Sequence, residues 1–454
     1  PTILLDSGTF EGFASRLPNS TIFVNQYLGI PFAAPPLGPL RFKPPVEPAP
    51  SDEVYRVDND PAACIQNGGS SKAFESEDCL KLNVYVPTSS KSIDANGGGL
   101  NVMVWLYGGG LQYGWVGNEL YDGASLAGNQ DLIVVAPNYR TNVFGFPGET
   151  PFIPIKERNL GLLDQRMALS WVQKNIVNFG GDPKRVTLFG QSAGARSADF
   201  HLLTMAQDPP FRAVIMQSGS AELTPLADAK KARISASKGA AFEQLANALG
   251  CKNDTATMEC MRAAPAAQIK KIVKDLNLYF GSVDDEGLTT VKDPASVRRA
   301  HRAAKVPLLI GTNAHEERGS MGSWRNRTLQ VYLDSSFQNH PDLKDKLKSA
   351  YRPLHTTDLD VMAAIATDMS FTCITSHEAR ISTESGYPTW RYLFNASFPN
   401  IENSTRAGAY HGSEIQYVFG NLPANATSDE ISLSNNMQEV WARFAKNPTE
   451  GLGW

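Results

Sequence analysis

Short apolar runs closed by turn residues recur along the whole chain. Residues 2–5 and 22–28 are apolar and joined by turn formers, which predicts a small antiparallel sheet at the start. Residues 29–45 are rich in proline and glycine and read as ordered loop. Residues 80–86 alternate and predict another strand. The runs 100–107, 132–137, 186–189, 213–217, 306–310 and 390–394 are continuously apolar, as expected of strands buried on both faces. Helical periodicity lies between several of them. In 159–178, Leu163, Met167, Trp171, Val172 and Ile176 recur at helical spacing, and 229–249 is a second amphipathic segment. Strands alternating with helices imply the α/β class: a large, mostly parallel sheet covered on both faces. With no linker composition in view, residues 1–454 read as one domain with helical insertions.

In such a sheet, ligands sit beyond the carboxyl ends of the strands. Residues 185–189 run into Gly190-Gln191-Ser192-Ala193-Gly194, and Phe179-Gly180-Gly181-Asp182-Pro183 precede them. G-x-S-x-G after a strand is a sharp strand-to-helix turn with a serine at its apex. The Ala193 N–H then points at whatever bonds to that serine. By itself the pattern also fits a surface Gly/Ser turn; the preceding strand weighs against that. Gly108-Gly109-Gly110 follow the strand 100–107, and their N–H groups suit a developing oxyanion. A nucleophilic serine needs a base and an orienting acid. Of the histidines after Ser192, only His411 sits in a glycine-bracketed turn, Gly408-Ala409-Tyr410-His411-Gly412. His201 is too local to Ser192, and His301, His340, His355 and His377 have charged or loop surroundings. The run 306–310 leads into Gly311-Thr312-Asn313-Ala314-His315-Glu316-Glu317, which places Glu316 or Glu317 at the same edge of the sheet.

Composition narrows the classes. The chain has 454 residues, is 42% hydrophobic and 19% charged, and carries a formal net charge of −4. With no basic run it is not built for nucleic acid, and no apolar stretch suits stable membrane insertion. Of five cysteines, two close pairs suggest Cys64–Cys79 and Cys251–Cys260 disulfides, with Cys373 buried and free. No histidine stands near either pair, so the spacing does not suit zinc and no metal is expected. Asn19, Asn253, Asn326, Asn395, Asn403 and Asn425 each begin N-x-Ser/Thr, which favours a secreted glycoprotein.

Together these stretches resemble the type-B carboxylesterase family, which includes cholinesterases and fungal lipases; the look is closest to secreted fungal members. Glu77-Asp78-Cys79-Leu80-Lys81-Leu82-Asn83-Val84, Tyr107-Gly108-Gly109-Gly110, residues 159–182, the Ser192 stretch, Gln217-Ser218-Gly219-Ser220, residues 311–316 and residues 408–419 carry the resemblance, in the family's order. It implies an α/β-hydrolase fold, a Ser192–Glu316–His411 triad, an oxyanion hole from Gly109, Gly110 and Ala193, and both disulfides. It implies no cofactor, and a small-molecule ester as the partner. The sequence departs from the family at Tyr107 (often His), Gln191 (usually Glu), Lys81 (usually aromatic) and Glu317, where glycine usually follows the acid and whose presence keeps Glu317 as the alternative acid. The expected activity is serine carboxylesterase chemistry through an acyl-enzyme. Lipase, feruloyl-type esterase and acyltransferase are alternatives on the same residues. Only 14 residues, 65–78, separate the first two cysteines, which disfavours a large apolar lid. A non-catalytic adhesion protein of this kind would lack the nucleophile, whereas Ser192 and His411 are both present. Neither the specificity nor the oligomeric state follows from the sequence.

Overall fold

The computed structural model describes residues 1–18, 20–69, 73–88, 98–222, 239–251, 256–400 and 408–452. Among these described residues, fourteen strands form three sheets. In chain order they are β1 (Thr2–Leu5), β2 (Gly8–Glu11), β3 (Phe13–Arg16), β4 (Phe23–Pro31), β5 (Val54–Arg56), β6 (Ala63–Cys64), β7 (Glu75–Ser76), β8 (Lys81–Pro87), β9 (Leu100–Leu106), β10 (Ile133–Pro137), β11 (Gly181–Gln191), β12 (Ala213–Gln217), β13 (Leu308–Asn313) and β14 (Thr389–Phe394). The main sheet has nine strands in the order β14-β13-β12-β11-β9-β10-β8-β4-β3. From β14 to β10 every pairing is parallel, and β8, β4 and β3 then add antiparallel neighbours. Every residue of β9, β10, β12 and β13 is buried, because helices cover both faces of the parallel part. This is the α/β-hydrolase architecture that the sequence implies.

The structure shifts some expectations. The small N-terminal sheet is present, built from the β1–β2 hairpin with β5 added parallel to β2. The apolar run 22–28 belongs elsewhere: it forms most of β4 of the main sheet, antiparallel to both β8 and β3, with Gln26, Tyr27 and Leu28 all buried. The periodic segment 159–178 forms the helix Leu160–Asn175 followed by the tight turn Ile176–Phe179. Of the segment 229–249, the helix Ala240–Ala248 is seen, and residues 229–238 lie outside the described residues. Both disulfides, Cys64–Cys79 and Cys251–Cys260, are formed. Cys373 is free but exposed rather than buried. It opens the helix Cys373–Glu384, and helical rotation carries it away from the side on which Phe371 and Thr375 are buried. Asn326, Asn395 and Asn425 are exposed, while Asn19, Asn253 and Asn403 fall outside the described residues.

Candidate active site

β11 ends at Gln191, and the helix Ala193–Thr204 starts two residues later, so Ser192 alone makes the turn. Its backbone sits at φ 56° and ψ −120°. For a side chain bearing a Cβ this region costs about 1–3 kcal/mol, and the surrounding packing must hold it there. The Ser192 N–H donates to the Gln217 carbonyl at the end of β12 (2.8 Å), and its carbonyl accepts from Arg196 (2.9 Å). Gly194 lets the helix approach β9: a Cβ there would lie 1.9 Å from the Leu106 carbonyl oxygen. The motif's glycine is thus a packing requirement, and the strain falls on the serine.

Beyond β9, Gly109 and Gly110 adopt φ 113° and 62°, conformations open to glycine. Their N–H groups donate to no protein acceptor among the described residues. The Ala193 N–H opens a helix and has no intrahelical acceptor. All three stand beside Ser192. The loop carrying the glycines is braced by a reciprocal tyrosine pair. Tyr107 Oη donates to the Tyr139 carbonyl (2.8 Å), Tyr139 Oη to the Tyr107 carbonyl (2.6 Å), and the rings stack at 4.1 Å. Tyr107 is therefore a buried structural residue that points away from the cavity.

The turn after β13 supplies the acid. Glu316 is buried, and its Oε2 lies 2.6 Å from Nδ1 of His411. Its other oxygen accepts from the Asn313 N–H (2.7 Å). The adjacent Glu317 turns elsewhere: its carboxylate accepts from Ser320 Oγ, and its N–H donates to Thr367 Oγ1. The His411 loop is tied to the same strand end through the Tyr410 carbonyl, which accepts from Asn313 Nδ2 (2.8 Å). Burial by itself would lower the His411 pKa. The Glu316 charge and hydrogen bond, then Glu414 and Glu317, outweigh it and raise the imidazole above its ordinary value.

Ser192, His411, Gly108, Gly109 and Gly110 line one cavity of about 710 Å³. Tyr113, Trp115, Tyr121 and Tyr410 add aromatic surface, and Gln66, Gly69 and Ala73 come from the short Cys64–Cys79 loop. Among the described residues, none that lines it is Asp, Glu, Lys or Arg. The structure places Ser192, His411, Gly109 and Gly110 around this cavity, with Ala193 next in chain to Ser192 and Glu316 against His411. Ser192 Oγ makes no hydrogen bond to His411 among the described residues; Nε2 of His411 instead faces Gln191 Nε2 at 3.1 Å. Sequence reasoning also missed Glu414, which is fully buried and accepts from Gln217 Nε2 (3.0 Å) and Asn313 Nδ2 (2.6 Å). The available signal was a lone glutamate beside the apolar run Ile415–Phe419. Three other histidines have their own partners. His201 is buried against Gln165, His315 packs under Gly408 and Ala409, and His377 pairs with Glu222.

An α/β-hydrolase sheet with a serine at its strained turn, an acid–imidazole pair and a ring of free N–H donors defines a class of enzyme. The chain belongs to the carboxylesterase family: the profile described as "Carboxylesterase family" matches residues 1–451. Secreted lipase 5 of Gibberella zeae is 34% identical over 99% of this chain and 86% of its own length. Carboxylesterase 5A of Felis catus is 33% identical over 97% and 84%. The acetylcholinesterase of Electrophorus electricus is 31% identical over 98% and 80%. The protein is a carboxylic ester hydrolase acting on small-molecule esters. No helix among the described residues is long and apolar enough to cross a membrane.

Proposed function

We propose that this protein is a secreted serine carboxylesterase working through an acyl-enzyme on neutral esters. The observation that carries the reading is the 2.6 Å contact of buried Glu316 with His411, which lines one cavity with Ser192, Gly109 and Gly110. Ser192 Oγ attacks the ester carbonyl as His411 Nε2 takes its proton. The same proton later goes to the leaving alkoxide, and water repeats the cycle to release the acid. Glu316 keeps the Nδ1 proton in place and stabilises the imidazolium. Gly109, Gly110 and Ala193 receive the oxyanion, each contributing about 3 kcal/mol in the transition state. The name of the Gibberella relative and the sequons support secretion.

The described lining residues carry no formal charge, which favours uncharged substrates. Among them a cationic alcohol would meet aromatic rings but no carboxylate, which weighs against choline esters. Tyr113, Trp115 and Tyr121 favour a second reading within this one, esters of aromatic acids. Ser192→Ala should retain the wild-type circular dichroism and lose measurable turnover of p-nitrophenyl esters from acetate to palmitate and of methyl ferulate. Wild-type profiles across that panel should favour the short acyl chains. Turnover that survives in Ser192→Ala would remove the nucleophile from the account.

A further inference from the structure

Gln191 ends β11 and is buried. Its amide occupies a slot between two glycines. A Cβ on Gly108 would lie 2.7 Å from Gln191 Oε1, and one on Gly412 would lie 3.6 Å from Nε2. The amide is thereby held with its nitrogen 3.1 Å from Nε2 of His411. The other ring nitrogen faces the Glu316 carboxylate at 2.6 Å, so the ring proton resides on Nδ1. Nε2 of the neutral ring then carries a lone pair, and the Gln191 NH₂ donates to it.

Resting on the reading of His411 as the base, we propose that Gln191 is a positioning residue that holds His411 in its neutral, proton-accepting form. An N–H aimed at a lone pair stabilises the unprotonated ring alone; once Nε2 carries a proton, the two N–H groups oppose each other. Three carboxylates act in the opposite sense: Glu316 and Glu317 from the turn after β13, and Glu414 from His411's own loop. The Phe371 ring at 4.8 Å brings no charge, and His315, titratable itself, packs against Gly408 and Ala409 of the same loop. Without the amide, the imidazole would stay protonated over more of the acidic range and Ser192 would have no base. The amide also occupies the lone pair that Ser192 must use. It therefore yields as substrate enters, when the Oγ–H bond breaks, Nε2–H forms and the oxygen's electron pair bonds to the ester carbon.

The test is the pH dependence of kcat/KM with p-nitrophenyl butyrate for wild type, Gln191→Met and Gln191→Glu. Methionine fills the slot without an N–H; glutamate keeps the shape and adds a fourth carboxylate. The acid limb should move to higher pH in both, further in Gln191→Glu, with each unit of displacement lowering kcat/KM tenfold well below the limb. A limb that moves in neither, or only in Gln191→Glu, overturns the proposal, because charge alone explains the latter. Should Gln191→Met fail to fold by thermal melt, an unmoved or lowered limb in the near-isosteric Gln191→Glu still contradicts it. Ser192→Ala and His411→Ala in the same assay separate the two claims. Turnover in either variant defeats the underlying triad, whereas their inactivity beside an unmoved limb defeats only the role of Gln191.

Discussion

Glu316 and Glu317 are adjacent in one tight turn, Glu316–Arg318, yet only the first carboxylate meets the imidazole. The turn directs successive side chains to different sides, and Ser320 and Thr367 hold the second residue away. Glu316→Gln removes the acceptor that fixes the ring tautomer, and kcat should fall on the order of 10⁴-fold, as when a triad acid becomes an amide. Glu317→Gln should keep kcat within about tenfold and shift only the pH profile. Glu317 raises the His411 pKa by its charge, so its removal should move the acid limb down. With the His411 pKa raised above its ordinary value by these carboxylates, the wild-type limb should be displaced upward. Below it His411 is protonated and cannot accept the Ser192 proton, so activity falls as pH falls. The same shift makes the ring's stabilising contribution complete below the unfolded value and lost as pH rises through the folded one. Ser192, His411 and the Glu316-or-Glu317 choice were legible because each ends a strand or glycine turn. The Gln191–His411 contact was not, because it joins residues 220 apart through side-chain packing that no local pattern encodes.

Three helices are locked together behind the candidate site by one buried cation. Arg298, from Pro294–Arg299, bonds to Asp199 of Ala193–Thr204 and lies 2.5 Å from Glu378 of Cys373–Glu384. Asp199 also accepts from the Ala221 N–H (2.7 Å), which ties the helix after Ser192 to the segment after β12. Removing the guanidinium leaves the Asp199 carboxylate buried and without its cation. Arg298→Met should cost about 3–5 kcal/mol in urea unfolding. A loss below about 1 kcal/mol would show that the cluster does not hold the helices. Burial, then Asp199, push the Glu378 carboxyl up to about 8 against the opposing pull of Arg298. The folded state thus keeps that proton, and the associated stability is present below the usual carboxylate range and fades as pH rises towards 8. At this scale the sequence showed the elements better than their partners. The parallel strands announce themselves as apolar runs, whereas β4 was misplaced because a run of residues carries no record of which strand it pairs with.

Across the whole molecule, the parallel strands converge on one edge of the sheet. Ser192 follows β11, the glycine loop follows β9, and Glu316 follows β13. His411 reaches the same edge from a loop held to the end of β13. This is why ordered motifs spread over about 300 residues were readable as one site: all but that of His411 lie just past a strand, and the sheet fixes where strand ends meet. What the sequence could not supply is the cavity wall, which loops as distant as Gln66 and Ile415 build together. In the proposed mechanism Ser192 carries a covalent intermediate. Intact-mass and peptide mapping after reaction with a p-nitrophenyl phosphonate measures this directly. One adduct per chain is expected, on the peptide containing Ser192, with activity lost in proportion to labelling and no adduct on Ser192→Ala. Labelling elsewhere with proportional inactivation, or full activity in a chain labelled at Ser192, would contradict that mechanism.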